Sequence, residues 1–248
     1  MDWTIYWFMF PVSICVATTA MLSGIGGAAL FIPIFVIIFP ILGPEYPLQT
    51  AAAIGTALMT EVFGFSSGFI GYHRKRLIDF NSAVPFLKWS VPVAVIGAVF
   101  LGYLHEQDNF LKGAYALLMI VLCPIILRHS VPAKTGLSPD ASEKSKKEDR
   151  AVRLITTQTG QTYTYNAPKV GALGGATTST GAFLTGLLGV GIGEVIIPQL
   201  VKRNHFPVAV AAATSVFTVI VTIAAASFTQ VTALIAAGGA NAIPWNLV

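Results

Sequence analysis

The chain has 248 residues, and only 26 of them are charged, 15 basic and 11 acidic. Charged residues make up 10% of the sequence, whereas an ordinary soluble domain has about 25%. The hydrophobic share is 54% and the mean hydropathy is +0.72. These values exclude a soluble enzyme, a nucleic-acid-binding protein, a disordered segment and a disulfide-rich secreted domain, and they indicate a polytopic protein of the lipid bilayer.

The first apolar run extends from Trp3 to Pro44 and carries no charge. It is far longer than the apolar region of a signal peptide, about 7 to 15 residues, so we expect it to remain in the protein. It is also too long for one membrane span of about 20 residues and too short for two. Gly24, Gly26 and Gly27 interrupt it and Pro33 follows, which predicts a hairpin broken at the glycines.

Three shorter apolar runs each have the length of one membrane span. They are Leu48–Tyr72, Phe80–Tyr103 and Phe110–Leu127, and their only charges are Glu61, Lys88 and Lys112. The two lysines lie near helix ends, where long side chains reach the lipid headgroups. Glu61 lies near the middle of its span, where a charge costs about 2.5 to 3.5 kcal/mol. We therefore expect it to be protonated, paired or exposed to water.

Residues 130–168 differ from the rest of the chain, because 11 charges fall between Arg128 and Arg153. Ser138–Arg150 has the mixed charge typical of a solvated linker. Val152–Tyr165 alternates polar and apolar residues around a Thr-Gly pair, which predicts a short β-hairpin. Because basic loops stay on the cytoplasmic side, we expect this loop to be cytoplasmic. Whether the hairpin caps the cytoplasmic mouth or contacts a partner stays open.

A second long apolar run extends from Val170 to Val201, with Glu194 as its sole charge. It is interrupted by Gly186, Gly189, Gly191 and Gly193, and Pro198 follows. Lys202 and Arg203 come next, and a hairpin that returns to its own side keeps them cytoplasmic. The same reasoning applied to the first run places the N-terminus outside.

The two broken runs share a pattern. GIGGAALFIP at residues 24–33 aligns without gaps with GVGIGEVIIP at residues 189–198. Each is followed by a proline, an alanine triplet and hydroxyl residues, which are Thr56 in the first copy and Thr214 and Ser215 in the second. This order indicates an internal repeat. We predict an all-α polytopic transmembrane helical bundle with two inverted repeats, residues 1–129 and 169–248, each opening with a glycine-broken hairpin. Secondary transporters follow this plan.

The two motifs, with their downstream proline, alanine-rich stretch and Thr or Thr-Ser, resemble the signature regions of the sulfite exporter TauE/SafE family. The resemblance covers most of the chain outside residues 130–168, and it departs from the family at Ala28 and Ile192. It implies a transporter of sulfite, organosulfonates or related small anions in the cell membrane. It also implies two halves with equal numbers of helices, so we expect the second repeat to be incomplete at Val248.

Glycine-rich breaks expose backbone N–H groups at the start of the next half-helix, where the helix dipole favours an anion. The candidate substrate-binding residues are Gly24, Gly26, Gly27, Thr56, Gly189, Gly191, Gly193, Thr214 and Ser215. The alternative is that the glycines only allow close helix packing. Glu61 and Glu194 are candidates for proton coupling, and the alternative for each is a protonated carboxyl that bridges helices.

No HExxH, GxSxG or CxxC motif is present, and no two histidines have metal-ligand spacing. We therefore expect neither catalysis nor a metal or cofactor. The predicted function is secondary transport of a small sulfur-containing anion by alternating access, with that anion and the bilayer as partners. The alternative is a non-transporting membrane subunit that docks a partner through the cytoplasmic loop. The direction of transport, the coupling ion and homo-oligomerisation stay open.

Overall fold

The structure is a computed structural model that describes residues 7–23, 26–43, 48–104, 107–128, 152–168, 170–204 and 206–238. Its helices are α1 Met9–Ser23, α2 Gly27–Pro33, α3 Phe39–Leu42, α4 Thr50–Arg74, α5 Phe80–Leu104, α6 Asp108–Arg128, α7 Ala172–Leu188, α8 Ile192–Pro198 and α9 Val208–Gly238. Two strands, β1 Val152–Thr156 and β2 Thr162–Asn166, pair as an antiparallel hairpin. The described chain is thus a helical membrane protein with little sheet.

Three helical segments are long and apolar enough to cross a membrane: Thr50–Arg74, Phe80–Leu104 and Val208–Ala233. The first two coincide with predicted spans. Large apolar side chains on these helices, such as Phe63, Trp89 and Phe228, stay exposed, as expected for a surface that faces lipid. α6 covers the third predicted span with 21 residues, and its crossing of the bilayer stays a prediction.

Both long apolar runs are broken where their glycines lie. α1 ends at Ser23 and α2 begins at Gly27, while α7 ends at Leu188 and α8 begins at Ile192. Between α7 and α8 the backbone has φ values of 79° at Gly189 and 138° at Gly191. A side chain at either position would be strained, so glycine is required for this turn. Gly24 lies outside the described residues.

The segments after the two breaks have the same local structure at aligned positions. α2 and α8 are each seven residues long and end at the aligned Pro33 and Pro198. Each then continues as a five-residue π-helical stretch, Ile34–Ile38 and Gln199–Arg203. A proline in a helix lacks an N–H group and crowds the preceding turn, and a wider π turn is one way to accommodate it. The inverted orientation of the two halves stays a prediction.

α5 packs closely against α7 and α9. Gly97 and Gly186 allow this approach, because a Cβ on Gly186 would collide with the carbonyl of Ala94 and lie 2.8 Å from the amide of Ala98. Small residues at such positions are typical of helix pairs in membranes. The Nε2 of the buried Gln230 donates to the Gly186 carbonyl at 2.5 Å. Close packing is thus the role of Gly186.

The predicted β-hairpin is confirmed, with pairs from Val152↔Asn166 to Thr156↔Thr162. One face of the hairpin packs on the helices: Tyr165 is buried, and Ile155 and Tyr163 contact the hydrophobic core. On the other face, Leu154 is 65% exposed. The inner face of the hairpin is therefore covered by its own chain.

Candidate functional site

Two carboxyl groups meet at the first helix break. Glu61 comes from the middle of α4, and Glu194 is the third residue of α8. A Cβ on Gly26 would lie 3.0 Å from Glu61 Oε1 and 3.7 Å from Glu194 Oε1. Both carboxyl groups therefore lie beside the same backbone position. Among the described residues, no basic side chain forms an ion pair with either of them.

The backbone N–H groups of this break bind these carboxyl oxygens. Gly26 N–H donates to Glu194 Oε1 at 3.1 Å, and Gly27 N–H donates to Glu61 Oε1 at 2.8 Å. Ala28 N–H donates to Glu61 Oε2 at 3.3 Å. Donors at a helix start lack partners within the helix, and in an apolar surrounding each needs an acceptor. The groups predicted to receive a substrate anion are thus occupied by the carboxyl groups of the protein.

At the second break, a threonine that the sequence analysis missed caps the start of α8. Thr185 Oγ1 accepts the N–H of Ile192 at 2.8 Å and donates to the Gly181 carbonyl at 2.9 Å. Its own carbonyl accepts the N–H of Gly189 at 2.9 Å. The signal in the sequence is a hydroxyl residue one helical turn before the glycine cluster, from where it can cap the next helix.

Replacing Thr185 by valine is expected to destabilise the protein by about 1 to 3 kcal/mol, because the buried N–H of Ile192 loses its acceptor while the side-chain shape is kept. The measurement is thermal unfolding of the purified protein in detergent. Thr185→Ser is the control, since serine keeps the hydroxyl and should retain most of the stability. Equal losses in the two variants would show that the cap contributes nothing.

The two breaks lie against each other. A Cβ on Gly189 would lie 3.0 Å from Ile32 Cδ1 and 3.5 Å from Ala28 Cβ. Both turns of α2 therefore pack on the glycine turn between α7 and α8. α6 also supports α2, because the buried Tyr115 donates its hydroxyl to the Ala29 carbonyl at 2.8 Å. Tyr115 is a second contributor that the sequence analysis missed.

A small cavity of about 30 Å³ lies between α1, α4, α8 and α9. Gly193 and Ser215, both candidates from the sequence, line it together with Phe65 and Tyr72. A cavity needs about 10 to 15 Å³ to hold one water molecule, so this one has room for water but not for an oxoanion. In the described conformation this cavity therefore does not admit a substrate anion beside Gly193 and Ser215.

Thr56 and Thr214 have different surroundings. Thr56 is 1% exposed, and its Oγ1 has no hydrogen-bond partner within the described part of the chain. The same holds for Glu194 Oε2. Buried polar atoms are normally hydrogen-bonded, so both atoms can bind water or a ligand, and Glu194 Oε2 can also bind a proton. Thr214 has a partner, because its Oγ1 accepts the N–H of Asp79 at 3.1 Å.

Among the residues that the structure describes, no group of three or more His, Cys, Asp or Glu side chains could hold a metal ion. What the site offers instead is a set of backbone donors, two carboxyl groups and buried hydroxyls. The backbone donors can bind either a carboxylate of the protein or the oxygens of another anion, and the carboxyl groups can take up a proton.

Comparisons with known proteins identify a family of membrane transporters. The family model described as sulfite exporter TauE/SafE matches residues 9–248. A protein of Bacillus subtilis (strain 168), described as the probable membrane transporter protein YunE, is 26% identical over 200 residues. That alignment covers 81% of this chain and 68% of the relative. No solved structure matches.

Proposed function

This chain belongs to the sulfite exporter TauE/SafE family of membrane transporters, and we propose that it carries small sulfur-containing anions such as sulfite or organosulfonates by alternating access. The family is one of transporters and not of enzymes. The observation that carries the proposal is that three backbone N–H groups at the first break already bind carboxyl oxygens.

The substrate binds by replacing these carboxyl groups. A sulfonate or sulfite presents oxygen acceptors on one central atom, as a carboxylate does, so it can accept the same N–H groups of Gly26, Gly27 and Ala28. Charged acceptors form stronger hydrogen bonds than neutral ones. The site therefore favours an anion whenever the carboxyl groups of Glu61 and Glu194 have moved away.

Proton uptake releases the carboxyl groups. A protonated carboxyl loses the charge-assisted part of its hydrogen bonds, and its departure frees the N–H groups. Glu194 Oε2 has no partner among the described residues, so it can hold a proton without breaking a bond. Two neighbouring carboxyl groups also repel each other when both are ionised. Substrate binding and proton uptake are coupled in this way.

The small cavity beside Gly193 and Ser215 must widen for the substrate to pass. Its walls come from α1 and α4 on one side and from α8 and α9 on the other. Movement of residues 1–129 relative to residues 169–248 enlarges it, which is the motion that transporters with two repeats use. Ser215 then faces the substrate path.

The test is counterflow of labelled sulfite and taurine in proteoliposomes that contain the purified protein. We expect saturable counterflow, whereas a non-transporting subunit gives no substrate-dependent flux and a channel gives no counterflow. Gly26→Ala is expected to lower the rate about tenfold, because its Cβ would lie 3.0 Å from the position of Glu61 Oε1 and would crowd the substrate oxygen that takes this position.

Gly64→Ala is the matched control for Gly26→Ala. Gly64 lies on α4, and a Cβ there meets nothing within 4 Å, so its counterflow should equal that of the unmodified protein. Equal rates in Gly26→Ala and Gly64→Ala would contradict binding at the first break. The alternative of a docking subunit has less support, because the inner face of the hairpin packs on this chain itself.

A further inference from the structure

Asp79 lies in the turn between α4 and α5, where several groups converge on its carboxylate. It caps α5, because Oδ1 accepts the N–H of Ser82 at 3.1 Å and Oδ2 accepts the Ser82 hydroxyl. Arg153 Nη1 forms an ion pair with Oδ1 at 2.9 Å, and the Tyr165 hydroxyl donates to Oδ2 at 3.0 Å. The Asp79 carboxylate is 7% exposed, whereas the Arg153 side chain is 32% exposed, so water reaches this ion pair from the arginine side.

The β-hairpin supplies two of the partners of Asp79, Arg153 and Tyr165, from one face. Arg153 and Tyr165 are directly paired across β1 and β2, so their side chains project from the same side of the hairpin. Burial, and then the neighbouring Asp79 carboxylate, raise the pKa of the Tyr165 phenol, which keeps it a neutral donor. The hairpin turn adds a third bond, from Gln158 N–H to the Lys75 carbonyl at 3.2 Å.

The hairpin also contacts the second half of the chain. The ring of Tyr165 lies 4.3 Å from that of Phe206, measured between centroids. Phe206 lies two residues before α9, and Thr214 in α9 accepts the N–H of Asp79. One small element thus joins the α4–α5 turn of the first half to the start of α9 in the second.

These contacts lie at the end of the helices that contains the cavity. Tyr72 in the last turn of α4 and Ser215 in the second turn of α9 line the cavity. Thr214 is adjacent to Ser215, and the Tyr72 carbonyl accepts the N–H of Leu77 in the same turn as Asp79. Separation of α4 from α9 at this end would therefore pull on the hairpin.

We propose that the β-hairpin is a latch that holds the two halves together at this end of the transporter, and that its release from Asp79 accompanies the opening of the cavity. The inference rests on the proposed alternating access. The bonds suit a latch, because Arg153 is partly exposed and a partly exposed ion pair is weak enough to break and re-form.

The first experiment measures access to the cavity and needs no substrate. Ala212→Cys places a thiol in the cavity wall, in a background with Cys15→Ser and Cys123→Ser. Arg153→Gln is expected to raise the rate of labelling by a membrane-impermeant thiol reagent roughly fivefold. Arg153→Lys, which keeps the charge, should restore a rate close to that of the parent.

Leu154→Gln is the control, because Leu154 lies on the exposed face of the hairpin and should leave the labelling rate unchanged. A thermal unfolding midpoint is recorded for each variant. Labelling of Arg153→Gln at the parent rate would contradict the latch. A rise of equal size in Leu154→Gln would also contradict it, since the effect would then not depend on Asp79.

The second experiment closes the latch. Lys75→Cys with Gln158→Cys, in the background without native cysteines, places two thiols where the backbone N and O atoms are 3.2 Å apart. Oxidation to a disulfide is expected to reduce counterflow at least tenfold, with recovery after reduction. Counterflow that is unchanged by oxidation would overturn the proposal. Absence of flux in the reduced, unmodified protein would instead refute the transport function, which separates the two outcomes.

Discussion

Replacing Gly186 by alanine is expected to prevent α5 and α7 from packing and to remove most of the folded protein from a detergent extract. The added Cβ would overlap the Ala94 carbonyl and lie 2.8 Å from the Ala98 amide. Both are backbone atoms, which cannot rotate away as a side chain can. Overpacking costs about 1 to 3 kcal/mol, and more where the backbone must move, which is a large share of the stability of a typical domain.

Gly97 provides an independent test from the other side of the same contact. Its Cβ would overlap the Phe183 carbonyl and lie 3.1 Å from the Leu187 amide, so Gly97→Ala should have a similar effect. The measurement is the fraction of monodisperse protein in size-exclusion chromatography, followed by thermal unfolding. Small residues are required here because the two helix backbones approach each other directly.

Gly113→Ala is the control for both variants. Gly113 lies on α6, and a Cβ there meets nothing within 4 Å. Alanine favours a helix over glycine by about 1 kcal/mol, so this variant should be as stable as the parent or slightly more stable. Unfolding of Gly186→Ala at the same temperature as Gly113→Ala would contradict the close packing of α5 against α7.

The second large effect is expected when the two carboxyl groups are replaced by amides. Transport then reports the loss of the charge, and stability reports the loss of the hydrogen bonds. Glu61→Gln and Glu194→Gln each remove one titratable group from the proposed site. The unmodified protein should transport faster as the pH falls on the side from which the substrate binds, because protonation frees the N–H groups of the first break. In both variants the counterflow rate should lose this dependence on pH.

Only Glu61→Gln should also lower stability. Both oxygens of Glu61 accept N–H groups, from Gly27 and Ala28. Glutamine turns one of these acceptors into a donor and leaves a buried N–H unsatisfied, which costs about 1 to 3 kcal/mol. Glu194 accepts the N–H of Gly26 through Oε1 alone, and a glutamine oxygen can do the same.

Counterflow between pH 5 and 8 and thermal unfolding, measured on the same preparations, distinguish the two roles. A pH profile that is unchanged in both variants would remove proton coupling from the proposal, while the transport function would stand. Equal thermal stability of the two variants would contradict the arrangement in which Glu61 holds two N–H groups and Glu194 one.

Much of the fold follows from local features of the sequence. The scarcity of charge indicates a membrane protein, and the apolar runs over α4 and α5 have the length of a bilayer because each backbone group must be satisfied within its own helix. The glycines locate both breaks, and at the second break the positive φ values of Gly189 and Gly191 would strain a side chain. The alternation between Val152 and Tyr165 predicts the hairpin for the same kind of local reason.

The site is less predictable. Glu61, Glu194 and the glycines are each predicted as site residues from the cost of a charge in lipid and from backbone arguments. The capping role of Thr185 is not predicted, because a threonine in an apolar helix has many uses. Asp79 was missed as well, although an acidic residue just before an apolar run is a helix start signal. Its bonds to Arg153 and Tyr165 join residues that no local pattern links.

The sequence by itself determined that the chain lies in a lipid bilayer, because so few of its residues are charged. It also determined the main spans, the breaks and the hairpin, because each depends on a few neighbouring residues and on what the backbone requires in lipid. Only the tertiary structure decided which groups meet. Glu194 lies 168 residues from Gly26, and its bond there depends on how α2, α4 and α8 pack. Hydrogen bonds between distant segments follow from that packing, which explains why the N–H groups expected to be free for substrate are bound to the chain's own carboxyl groups.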